Sequence, residues 1–462
     1  MVVLAIGVTA PTLHAQDAKR AEKRADEAGL VPFWRQLGDT TLARLTHDAL
    51  LANNAVRSAK ADVRSARSIR RVATLDFLPR VTASTGMTSR RFSATQVPGL
   101  PAANRELDVY DAGLDATWEL DFSARIRSRF EAQDALAASA DEGLRETQLL
   151  LVSELARTYF ELRGAQRRLH VANRNAANQQ RTLQITIDRL SAGRGTAFDR
   201  ERASAQVSTT LAGLSALEAQ IAAAESRIGM LVGRAQRIAA EIPDSTDLGL
   251  ESVGTIADQP ALPNVPSPES VARLVGRRPD VRGAERRAAA QENLVSVARA
   301  DYLPRVSVVG TAGFNAGSTD GLGRREASRY AIGPVISWAA FDLGRVRAGV
   351  NGARAQHDAA RAQYEQVVLR ADLEASSAIT VYERTLTRVG LLRQAALASE
   401  RGAELAQLRL NAGESGFLEV LDAQRTLLDA QDRLAQGETD AATAFVSLYQ
   451  ALGGAWSPAT PR

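Results

Sequence analysis

Cysteine is absent from all 462 residues, which excludes disulfides, thiolate metal sites and thiol catalysis. Histidine is nearly absent too. His14, His47, His170 and His357 are scattered and form neither an HxxxH nor an HExxH pattern. No serine nucleophile elbow and no phosphate-binding loop occurs, and Gly321-Leu322-Gly323 is an isolated fragment that reads as a turn between strands. These gaps argue against an enzyme and give no reason to expect a metal or cofactor. No run of 18 or more apolar residues exists, so a transmembrane helix is excluded and any membrane role must come through a β-barrel. Neither sign of charge dominates. Lys and Arg total 57 against 53 Asp and Glu, interleaved along the chain, which leaves no stripe for nucleic acid. Aromatics are only 5% of the residues.

What remains is 45% hydrophobic and 24% charged, a composition able to fold. It is rich in Ala, Leu, Gln, Arg and Glu, which favours long helices packed through small side chains. At the start, Val2 to Val8 is apolar and Leu13-His14-Ala15 ends in a small residue before Gln16-Asp17. Residues 1–15 are therefore expected to be a signal peptide cleaved after Ala15, although no Lys or Arg precedes the apolar stretch.

The chain is one unit written twice. Phe77-Leu78-Pro79-Arg80-Val81 recurs as Tyr302-Leu303-Pro304-Arg305-Val306. Trp118, Asp121 and Arg125-Ile126-Arg127 recur as Trp338, Asp342 and Arg345-Val346-Arg347. Arg189-Leu190-Ser191-Ala192-Gly193 recurs as Arg409-Leu410-Asn411-Ala412-Gly413, at about the same 220-residue offset as the tryptophans. The expected organisation is a first repeat over 16–235, a linker over 236–268, a second repeat over 269–456 and a tail over 457–462. The linker contains Pro243, Pro260, Pro263, Pro266 and Pro268, which break any helix.

Each repeat is expected to hold a helix, two strands and a long helical hairpin. In Leu107–Leu120, Tyr110, Ala112, Leu114, Ala116, Trp118 and Leu120 alternate with Val109, Asp111, Gly113, Asp115, Thr117 and Glu119. Tyr330, Ile332, Pro334, Ile336 and Trp338 repeat the pattern. This period-two alternation fits a tilted transmembrane strand, and it also fits an ordinary half-buried antiparallel sheet. Two strands per repeat give four per chain, whereas a closed transmembrane barrel needs about eight or more. Open sheet edges are not tolerated in lipid, so a membrane reading requires an oligomer.

Ile126–Leu190 and Val346–Leu410 contain no proline. As single helices each would reach about 95–100 Å, far beyond an ordinary domain. The return helices show heptads. Val207, Leu214, Ile221 and Ile228 run beside Leu217, Ala224 and Leu231. Leu421, Leu428, Ala435 and Ala442 run beside Leu427, Leu434, Ala441 and Leu448. Two adjacent seams on one helix imply neighbours on both sides, as in a helical tube.

Long duplicated hairpins, each preceded by a strand pair, resemble the TolC-like outer-membrane factor family. The local motifs agree. Phe33-Trp34, Leu37, Leu42, Leu45 and Ala49-Leu50-Leu51-Ala52-Asn53-Asn54 resemble that family's opening helix. Gly276-Arg277-Arg278-Pro279-Asp280-Val281-Arg282-Gly283-Ala284-Glu285 resembles a signature of the branch serving resistance-nodulation-division pumps. Phe341-Asp342-Leu343-Gly344-Arg345 and Leu421-Asp422-Ala423-Gln424-Arg425 are similar to further family motifs, and the likeness spans residues 31 to 456.

The resemblance implies an α+β membrane protein. Three chains would supply twelve strands to one outer-membrane β-barrel and their coiled coils to a periplasmic α-barrel. It would be the passive exit duct of a tripartite pump for small toxic compounds, docking onto a periplasmic adaptor protein and an inner-membrane pump. It also implies a periplasmic gate after the second hairpin tip. Glu419 and Asp422 would form carboxylate rings, Leu418 an apolar constriction and Arg425 a partner holding neighbouring helices shut. Gly193, Asp199 and Gly413 at the tips would meet the adaptor, though both glycines also suit simple helix C-caps. Many members carry an acylated N-terminal cysteine; this sequence has none, and the duct expectation does not depend on it. The rivals are a soluble periplasmic coiled-coil adaptor or scaffold, and an outer-membrane duct for metal ions or type I protein secretion.

Overall fold

The computed structural model describes residues 30–36, 38–99, 101–234, 268–412, 414 and 416–454. The expected signal peptide, the tail and the linker up to residue 267 lie outside these residues. In chain order the helices are α1 (Leu30–Gln36), α2 (Thr40–Ala52) and α3 (Asn54–Leu75), followed by strands β1 (Arg80–Arg91) and β2 (Glu106–Leu120). Helices α4 (Arg125–Ser191) and α5 (Ala197–Leu231) complete the first half. The second half repeats the order as α6 (Pro268–Val275), α7 (Pro279–Ala300), β3 (Arg305–Ala316), β4 (Ser328–Ser337), α8 (Leu343–Asn411) and α9 (Phe417–Ala451). The proline-free stretches are single helices of 67 and 69 residues.

The chain divides into two units, each drawing on both halves of the sequence: residues 61–142 with 282–367, and residues 1–60 with 143–281 and 368–462. The first of these contains one four-stranded antiparallel sheet in the order β1-β2-β3-β4. Register decides its character, because cross-strand partners share a face. Leu114 pairs with Ala83 and Ala312, and Ala312 pairs with Tyr330. That face therefore also carries Val81, Met87, Tyr110, Trp118, Val306, Val308, Ile332 and Ile336. The opposite face carries Thr82, Ser84, Asp111, Asp115, Ser307, Thr311, Asn315 and Arg329. One side of the four strands is mostly apolar and the other mostly polar, with Val109, Val309 and Val335 among the exceptions.

The apolar face is uncovered, with Tyr330 85% and Ile332 76% exposed. Gly113 and Gly313 oppose each other across β2 and β3. A Cβ on Gly313 would lie 2.4 Å from the Ala112 carbonyl oxygen and 2.6 Å from the Gly113 Cα. Only glycine permits this close approach of β2 and β3 on the polar face. The same corner ends each hairpin: the Trp118 indole N–H donates to the Phe77 carbonyl and the Trp338 indole N–H to the Tyr302 carbonyl, both at 3.0 Å.

The second unit gathers a group of the scarce aromatic residues into one core. Phe33 and Trp34 of α1 pack on Phe445 and Tyr449 of α9, with Phe33 and Tyr449 centroids 4.4 Å apart. Phe160 of α4 and Tyr382 of α8 join the cluster. Burial pushes the Tyr449 hydroxyl well above its ordinary titration range. Away from this cluster small residues carry the packing, as composition suggested. Val389 and Ala396 of α8 meet Leu434 and Ala441 of α9, flanked by Leu392 and Ala430.

Candidate functional site

Both hairpin tips close the preceding helix in the same way. The Arg194 N–H donates to the Arg189 carbonyl at 2.8 Å, and 220 positions later the Glu414 N–H donates to the Arg409 carbonyl at 2.9 Å. Gly193 takes φ +69°, the left-handed conformation that suits glycine at a helix C-terminus; Gly413 lies outside the described residues. The tips differ in how the return helix begins. Thr196 caps α5: the Asp199 N–H donates to the Thr196 hydroxyl at 3.2 Å, and the Thr196 N–H donates to the Asp199 carboxylate at 3.3 Å. The Asp199 carboxylate is thus engaged in a capping box. Gly416 begins α9 without any side-chain cap.

The first two turns of α9 carry the four residues that the resemblance assigns to a gate. Leu418, Asp422 and Arg425 follow a four-then-three spacing that places them on one stripe, and all three are exposed. Glu419 lies 3.5 Å from the Arg409 guanidinium across the tip. Among the described residues the Asp422 carboxylate and the Arg425 guanidinium have no partner. Val420, on the other side of the helix, is buried. The structure thus holds α9 by one face and leaves the Leu418 stripe uncovered.

What holds α9 differs on its two sides. Toward α8 the core just described is apolar, flanked by the Arg388–Asp440 ion pair at 3.0 Å. Toward α4 the contact is a polar ladder. Arg168 makes a two-pronged ion pair with Asp432, at 2.7 and 3.2 Å, and reaches Gln436 at 3.0 Å. Seven residues on, the Asn175 amide donates to Gln431 at 3.4 Å. Seven further on, Thr182 and Gln424 sit 3.4–3.5 Å apart. The contacts lengthen toward the tip. Above the ladder the buried Glu438 lies between Arg167 at 2.8 Å and Arg393 at 3.4 Å, joining α4 and α8 to α9. The Arg167 contact is an ion pair without hydrogen-bond alignment.

The arginine-proline motif is a helix anchor. Arg278 is 7% exposed and donates to the Ala451 carbonyl at the end of α9 at 3.0 Å, to Asp280 at 2.8 and 3.1 Å and to Glu374 at 2.7 Å. Burial opposes its charge, but the hydrogen bonds to Asp280 and Glu374 outweigh it and raise its pKa. Sequence reasoning marked this motif as a family signature without giving it a task, and it missed the α4–α9 ladder. The seven-residue spacing of Arg168, Asn175 and Thr182 marks a polar stripe along α4 but not the helix it meets. Among the described residues no group of side chains suited to a metal ion occurs.

Comparison with known proteins agrees with this architecture. The sequence profile of the outer membrane efflux protein family matches residues 45–234 and 271–454. The chain is 28% identical to the outer membrane protein OprJ of Pseudomonas aeruginosa over 450 residues, covering 97% of this chain and 91% of OprJ. It is 29% identical to the solvent efflux pump outer membrane protein SrpC of Pseudomonas putida, covering 91% of this chain and 86% of SrpC. The fold superposes on the outer-membrane channel OprN with a TM-score of 0.81 and 37% identity, covering 91% and 92% of the two chains. A duplicated strand pair with long helical hairpins, matched over nearly the whole length, makes this chain a member of the outer membrane efflux protein family.

Proposed function

We propose that three copies of this chain, built from the repeats 16–235 and 269–456, form an outer-membrane exit duct that carries small toxic compounds out of a Gram-negative-type cell. The observation that carries this reading is the sheet. It has an uncovered apolar face, a polar face, and two edges, β1 and β4, with no partner strand among the described residues. Lipid does not tolerate open edges, and three copies supply twelve strands, enough to close a barrel with the apolar face outward. A soluble adaptor has no use for such a face. The duct performs no catalysis; a periplasmic adaptor and an inner-membrane pump dock below it and supply the energy. SrpC is named for solvent efflux, which supports small apolar cargo.

The gate lies at the start of α9. Leu418 narrows the lumen, Glu419 and Asp422 ring it with carboxylates, and Arg425 reaches a neighbouring copy, which accounts for two charged side chains left without partners in their own chain. The tips at Gly193, Asp199 and Gly413 meet the adaptor. Opening parts α8 and α9, joined by their apolar seam, from α4 along the polar ladder.

The test is planar-bilayer conductance of detergent-extracted protein, sized beforehand for oligomeric state. A trimer with a small, cation-preferring conductance is expected. A protein that stays soluble without detergent and never conducts would favour the periplasmic scaffold instead.

A further inference from the structure

We propose that the two strand-to-helix corners are docking points for anionic phospholipid headgroups, one in each repeat. The inference rests on the membrane reading of the apolar sheet face and extends it to the rim where that face ends.

Each corner presents the same three features. An exposed leucine, Leu78 or Leu303, precedes the first strand of the hairpin. A phenylalanine follows the second strand and packs on little: Phe122 is 76% exposed and Phe341 fully exposed. Behind it comes an Arg-x-Arg pair in the first turn of the long helix, Arg125 with Arg127 and Arg345 with Arg347. The first arginine of each pair is neutralised, Arg125 by Glu119 and Arg345 by Asp342 at 2.7 Å. The second is exposed, and among the described residues Arg127 and Arg347 have no ion pair. The pattern of one paired and one free guanidinium beside a bare phenylalanine is kept in both copies of the duplicated corner, although the first arginine pairs with Glu119 before Phe122 in one and with Asp342 after Phe341 in the other.

Water is a poor solvent for a bare phenyl ring, and nothing in the fold covers these two. Aromatic side chains at the ends of a membrane-spanning sheet settle at the boundary between acyl chains and headgroups. A free guanidinium at the same depth meets phosphate, which it binds through two parallel N–H donors. Free phosphate would satisfy the arginines alone, whereas a phospholipid satisfies the arginine and the ring together. The surface is continuous with the apolar face, which reaches these corners through Trp118 and Trp338.

Native mass spectrometry of the full chain in detergent tests the proposal, with phosphatidylglycerol and phosphatidylcholine added in equal amounts. The protein is expected to retain phosphatidylglycerol with a preference of about fivefold at each corner, from the one free arginine there. The pair Arg127→Gln and Arg347→Gln should abolish that preference, and the pair Arg127→Lys and Arg347→Lys should keep part of it. Phe122→Ser with Phe341→Ser should lower retention of both lipids. Equal retention of the two lipids by the unaltered protein would overturn the proposal, as would full preference in the glutamine variant. Displacement of the lipid by millimolar inorganic phosphate would also overturn it, leaving a simple anion site. Conductance of the same preparations separates the layers of argument. A conducting protein without lipid preference sinks the headgroup sites alone, and a soluble, non-conducting one sinks the membrane reading beneath them.

Discussion

Cutting the polar ladder between α4 and α9 should open the duct without unfolding it. Arg168→Gln combined with Thr182→Ala removes its best and its weakest contacts. The Arg168–Asp432 pair has good geometry, but its side chains are 25% and 42% exposed, so it contributes about 0.5–1 kcal/mol. The Gln436 contact at 3.0 Å adds about 1 kcal/mol. The Thr182–Gln424 contact at 3.4–3.5 Å sits at the limit of a hydrogen bond and adds about 0.5 kcal/mol or less. The sum is about 2 kcal/mol per chain. If opening parts α9 from α4, the ladder exists only in the closed duct, and its loss shifts the equilibrium about 30-fold per copy. Single-channel recording should show open time rising at least about tenfold, a conservative reading of that shift. Leu434→Ala, in the apolar seam within the hairpin, is the control. It should lower thermal stability by about 2–5 kcal/mol yet leave open time alone, because that seam moves as one piece. An unchanged open time in the ladder variant, or an equal rise in both variants, would refute the reasoning.

Three further substitutions probe other parts. Gly313→Ala puts a Cβ 2.4 Å from the Ala112 carbonyl and should cost about 1–3 kcal/mol by overpacking, read as a lower melting temperature of the extracted protein. Asp422→Ala and Arg425→Ala should each raise leak conductance, and unchanged conductance in both would remove the gate assignment. Arg278→Ala strips the partner from Asp280, Glu374 and the Ala451 carbonyl, and loss of a buried charged partner should cost about 3 kcal/mol. Differential scanning calorimetry would reveal it, and a wild-type transition would show that Arg278 anchors nothing.

The regular elements were legible because their periods are local. Absence of proline marked Ile126–Leu190, and the helix runs from Arg125 to Ser191. Alternation marked Leu107–Leu120, and the strand runs from Glu106 to Leu120. Strands β1 and β3 alternate weakly because serine, threonine and glycine dilute their apolar side. Their allegiance comes from register, which sets Val81 opposite Ala116 and Val308 opposite Trp118. Gly113 and Gly313 show the same limit more sharply. A single glycine in a strand has several meanings, and only pairing across β2 and β3 reveals that each makes room for the other. The ladder joins positions such as Arg168 and Asp432, 264 residues apart, and no local period can report that.

The two repeats also differ in a way that fits the proposed gate at one tip. Their helix ends match, yet position 196 is threonine and position 416 is glycine. Threonine fixes the start of α5 and occupies Asp199, so that carboxylate already serves the helix. Glycine leaves α9 uncapped, and the equivalent acid, Glu419, reaches Arg409 across the tip at 3.5 Å. An uncapped first turn frays more easily. A carboxylate not held by its own helix is available to a neighbouring chain or a passing ion. The same duplicated framework thus yields a stiff tip and an adaptable one. The adaptable tip carries the exposed Leu418, Asp422 and Arg425 stripe, in which an acid and a base stand one turn apart without partners among the described residues.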